Sequence, residues 1–76
     1  MKRRLVRVEW CDPFSHDGWC ELDQLQTGVL WIESVGYEVL RTKEVIVLAL
    51  NVDVENGKVS CATVIPLVCV RSRKVL

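Results

Sequence analysis

Two runs of β-favouring residues, 45–51 and 58–65, flank the dipeptide Asn56-Gly57, and this arrangement constrains the chain more than any other feature in it. Asn and Gly accept the positive φ of a type I′ corner, so the two runs predict an antiparallel hairpin with its tip at that dipeptide. A sheet built from 76 residues has few strands, and each of its edges offers unpaired N–H and C=O groups to other chains. Such a sheet must curl on itself or pair with another copy.

Residues 5–10 alternate, with Val6, Val8 and Trp10 on one face and Leu5, Arg7 and Glu9 on the other, which predicts a half-buried first strand. Residues 11–25 keep no period and carry Asp12-Pro13 and Asp17-Gly18, so a long loop is expected, with a turn of helix near 21–25. Residues 28–40 alternate again but change phase around Ser34-Val35-Gly36, where the glycine suggests a bulge or sharp bend. After a polar corner at Arg41-Thr42-Lys43, residues 45–50 are apolar on both faces and are expected to be buried on both. Pro66 ends the returning strand because it has no N–H for the ladder, and residues 70–76 form a last short strand. The expectation is an all-β chain, residues 1–76 forming a single small domain: an antiparallel barrel of about five strands with a long loop after the first.

The order of these elements is that of SH3-like and Sm-like barrels. Val35-Gly36-Tyr37-Glu38-Val39, then Val45-Ile46-Val47-Leu48-Ala49 and Ile65-Pro66, with Trp10, Asp12 and Gly18-Trp19 before them, resemble a group of short phage and prophage proteins of uncharacterised function. The resemblance implies a small barrel and a phage source, and it carries no catalytic residues to transfer. The RNA-binding segments of Sm proteins proper have no clear counterpart here, Lys58 after Asn56-Gly57 being a faint echo.

Half of the residues are hydrophobic, which argues against disorder, while so short a chain buries a limited core. The excess apolar surface predicts a homo-oligomer, either a dimer or a closed ring of roughly five to seven copies. No run is long enough to span a bilayer, and Met1-Lys2-Arg3-Arg4 leads into no continuous apolar stretch, so a soluble, cytoplasmic protein is expected. Cys11, Cys20, Cys61 and Cys69 are then expected to be reduced and packed.

Ten basic and ten acidic residues cancel, but they are laid out unevenly. Lys2, Arg3, Arg4 and Arg7 at one end and Arg71, Arg73 and Lys74 at the other form one cationic patch if the first and last strands pair. That patch is either armour on a sheet edge or a set of phosphate contacts for RNA or single-stranded DNA. Trp10 and Trp31 are assigned to the core, and Phe14 and Trp19 in the loop are the candidate partner-binding residues.

The nearest thing to a chemical site is Cys11, Asp12, His16, Asp17 and Cys20, all ligand types for zinc. Its C-x4-H-x3-C spacing lacks the close thiol pair of a zinc knuckle, so neither metal nor cofactor is expected. His16 is the single histidine, and nothing in the sequence orients it toward a cysteine or serine nucleophile. The sequence therefore points to a non-enzymatic binding or assembly module, ahead of a nucleic-acid-binding protein and of a small thiol enzyme or redox protein.

Overall fold

The computed structural model describes residues 3–13, 19–24 and 28–76, without the side chains of residues 13 and 24. Five strands form one antiparallel sheet: β1 (Arg4–Pro13), β2 (Val29–Arg41), β3 (Val45–Val52), β4 (Val59–Pro66) and β5 (Val70–Val75), in the order β4-β3-β2-β1-β5. Single 3-10 turns lie at Leu22–Gln24 and Leu67–Cys69, and among the described residues there is no α-helix, so none is long and apolar enough to cross a membrane.

The order of the strands curls the sheet. Four strand spacings of about 4.8 Å would put β4 and β5 roughly 19 Å apart in a flat sheet. The Leu67–Cys69 turn rises only about 2 Å per residue, far too little to cover that distance. Its first N–H donates to the Glu44 carbonyl at 2.8 Å, which pins it beside the β2–β3 corner. The two edges are thus drawn toward each other at one end, yet no ladder joins β4 to β5 among the described residues. The closed or nearly closed barrel expected from the sequence is observed as a curled, open sheet.

Alternation along β1 builds the core. Val6 and Val8 are buried, and across the register they oppose Gly36 and Ser34 on β2, while Ile46 opposes Ile65 between β3 and β4. Val6, Val8, Ile46, Leu48 and Ile65 make one cluster, with Trp10, Leu67 and Val70 packed against it. Trp10 satisfies its indole N–H by donating to Ser34 Oγ at 3.0 Å, as a partly buried tryptophan requires.

Several local expectations change in the structure. Residues 11–13 belong to β1, because each finds a partner on β2, ending with Pro13 opposite Val29. No bend marks Gly36; the bulge falls at Val39, between the Glu38–Leu48 and Leu40–Val47 pairs. The glycine serves close approach instead: a Cβ there would lie 3.0 Å from the Ala49 carbonyl oxygen. Nor is β3 buried on both faces. Ile46, Leu48 and Ala49 are, but Leu50 is 62% exposed because β3 leaves β2 after the Tyr37–Ala49 pair.

The hairpin tip is not a two-residue turn, because only Gly57 of the Asn-Gly dipeptide has positive φ, at 74°. Asp53 organises a longer loop. Its N–H donates to the Lys58 carbonyl and its carbonyl accepts from Gly57 N–H, while its carboxylate accepts from the backbone N–H groups of Glu55 and Asn56 and from the Asn56 amide. The Asn56 amide first, then the two backbone N–H groups, hold the Asp53 carboxyl below its usual range. A lowered folded pKa adds stability above the ordinary carboxylate pKa and loses it as pH falls through the lowered value.

These features set two mutational costs of different origin. Ile46→Ala, at a fully buried position, is expected to cost about 2–4 kcal/mol, and Gly57→Ala about 1 kcal/mol from the left-handed backbone alone. Urea denaturation at constant m-value measures both. Equal losses would contradict the assignment of Ile46 to the core.

Candidate interaction surface

The core-facing alternation leaves the other face of the sheet to Leu5, Arg7, Glu9 and Cys11 on β1. Opposite them on β2 stand Tyr37, Val35, Glu33 and Trp31. Leu5, Trp31, Val35 and Tyr37 are exposed, and Leu40 and Val64 continue the apolar surface along β2 and β4. Among the described residues the large exposed hydrophobic side chains far outnumber the buried ones, so this chain by itself hides little of its apolar content.

Trp31 is not in the core. Its register partner is Cys11, which places it on the outer face, 44% exposed, whereas Trp10 faces inward opposite Ile32. A bulge in β5 provides its cover: Glu9 pairs with Ser72 and Trp10 with Val70, so Arg71 is the extra residue. The Arg71 guanidinium lies 3.8 Å from the Trp31 ring centroid and is also ion-paired with Glu9. One arginine thus joins β5, β1 and β2 through a stacking contact and a charge pair.

Arg73, on the inner face, reaches across β1 to β2. Its Nε and Nη2 donate to Glu38 Oε1 and Oε2, each at 2.9 Å, in the two-pronged geometry that arginine favours with carboxylates. Glu38 is 13% exposed and Arg73 23%, and Arg41 stands 3.9 Å from the same carboxylate. Arg4 is the cross-strand partner of Glu38 on β1.

The pairing of first and last strands therefore does bring the two basic ends together, but two of the cations there are answered. Arg71 and Arg73 are engaged by Glu9 and Glu38. Arg7 and Lys74 remain directly opposite each other, both exposed, with Arg3 and Arg4 nearby at the start of β1. Like charges facing across a ladder repel, and an anion between them relieves the repulsion. Lys2 lies outside the described residues.

Of the two loop aromatics, Trp19 is fully exposed and Phe14 lies outside the described residues. So do His16 and Asp17, while Cys20 is exposed and Cys11 sits half-buried on β1. Among the described residues no three histidine, cysteine or acidic side chains come together as metal ligands.

Three further features were invisible in the sequence. Where β3 leaves β2, a cleft of about 370 Å³ opens between Ser34 and Val35 on one side and Leu50, Cys61 and Ala62 on the other. Cys61 has φ of 54°, a left-handed conformation uncommon in a side-chain-bearing residue. Cys11 and Cys69 also become neighbours, because each follows outward from the Trp10–Val70 pair. Desolvation first, then the adjacent Cys11 thiol and the charges of Cys11 and Asp12, pushes the Cys69 thiol up.

No protein-family model, curated protein or solved structure matches the chain. The functional reading therefore rests on the surface itself.

A raised thiol pKa leaves less thiolate at pH 8, so Cys69 is expected to alkylate more slowly than exposed Cys20, and Cys11→Ser to speed it. Peptide-resolved mass spectrometry after timed iodoacetamide treatment measures this. Equal rates at Cys20 and Cys69 would contradict the placement.

Proposed function

We propose that this chain is a non-enzymatic binding or assembly module, a small SH3-like or Sm-like sheet that works as a homo-oligomer. The observation that carries the reading is the imbalance between a five-residue core cluster and the apolar outer face with its open edges. An exposed apolar surface of this kind is the ordinary mark of a protein interface, and open edges pair with further strands. Trp19, exposed beyond β1, and Phe14 are the residues assigned to a further protein partner. A phage origin and a reducing cytoplasm fit the resemblance in sequence and the four free thiols.

Sedimentation equilibrium tests the reading. The expected result is a mass at least twice the 8.7 kDa of the chain at micromolar concentration. A monomer that persists to millimolar concentration would defeat it.

The second reading is a nucleic-acid-binding module, favoured by one observation, the facing Arg7 and Lys74 with Arg3 and Arg4 beside them. Arg71 and Arg73 then serve the fold more than the ligand. If single-stranded RNA binds there, Arg7→Ala with Lys74→Ala should lower the log–log salt slope by roughly one to two units. In the same assay Arg71→Ala and Arg73→Ala should act mainly through stability. Absence of binding by the parent protein at low salt removes this reading.

A further inference from the structure

β2 is covered on its β3 side along only part of its length. Its ladder with β3 runs from Tyr37 to Arg41, and among the described residues nothing pairs with that side of residues 29–35. The other side of the same residues is fully paired with β1, so they form a rigid strand with one open edge. Val29, Leu30, Trp31 and Val35 on it are exposed. The edge has a fixed end, because at Gly36 the Ala49 carbonyl already occupies the neighbouring lane.

We propose that this edge pairs antiparallel with the same segment of a second copy of the chain, joining two sheets through a two-fold axis at Ile32. The inference rests on the self-association reading and names the interface. An antiparallel pair of identical segments uses the whole open window only when its axis passes through the middle residue, and the middle of residues 29–35 is Ile32. Val29 then opposes the second copy's Val35, Leu30 its Ser34 and Trp31 its Glu33.

Charge selects this register. No like charges oppose each other, and Glu33, which makes no ion pair among the described residues, meets the Trp31 that carries Arg71 over its ring. Each interface therefore holds two symmetry-related contacts of Glu33 with the Trp31–Arg71 stack. A one-residue slip would turn the side chains of one strand to the wrong face and lose pairs at the end.

The full chain carrying Ile32→Cys, oxidised mildly and mapped by non-reducing peptide mass spectrometry, should form a disulfide between its two copies at position 32, since opposed Cα atoms stand about 4.5–5.5 Å apart. Independently, Glu33→Arg places a cation against Arg71 of the other copy and should weaken association by about tenfold or more in sedimentation. Glu33 is exposed, so that variant folds even if Ile32→Cys does not. Association that persists with Glu33→Arg unchanged and with links formed only through β4 or β5 overturns this interface while leaving self-association standing. A parent chain that never associates overturns both.

Discussion

Three residues, Leu67–Cys69, carry the chain from one edge strand of the sheet to the other. Their short reach compels the sheet to curl, and the curl gathers Val6, Val8, Ile46, Leu48 and Ile65 into one cluster. A close approach and two bulges accompany this curvature. Gly36 lets the Ala49 carbonyl approach, Val39 bulges, and Arg71 is extruded from β5 so that the Trp10–Val70 pair can form.

The same constraint explains why the sheet stays open. β3 and β4 follow the curve near the β4–β5 corner and then leave β2 beyond Ala49, so two arms diverge and the core ends at the fork. The molecule is correspondingly long, 52 × 23 × 20 Å with a radius of gyration of 15.5 Å, against about 11 Å for a compact chain of this length. Charge pairs add cross-strand ties beside the apolar packing. Arg73 on Glu38 and Arg71 on Glu9 and Trp31 tie β5 across β1 to β2 and the arm beyond the core.

Strand content was legible in the sequence because β1 alternates strictly, the two runs of the β3–β4 hairpin are rich in β-favouring residues on either side of a turn signal, and Pro66 marks its own boundary. What was not legible follows from long-range register. Parity alone separates Val8 and Trp10 from Glu9, but only the pairing of Cys11 with Trp31 shows that Trp31 faces outward. The Asn-Gly dipeptide signals a turn, whereas the Asp53 carboxylate decides its length by capturing the N–H groups that a tighter turn would leave free. The basic ends were correctly expected to meet, yet nothing local links Glu38 to Arg73 across 35 positions. Trp19 is exposed, but exposure of one loop residue says nothing of the half-open edge of β2, which was not legible because it exists only where β3 departs early.

If a second copy completes this curled, open sheet along β2, amide hydrogen exchange at residues 29–35 shows it most directly. At concentrations where the protein associates, the amides of residues 29–35 that point away from β1 should be protected. On dilution they should become fast, while those of Ile46 and Ile65 stay slow. Fast exchange of those β2 amides at every concentration, with the core amides protected throughout, would contradict the account.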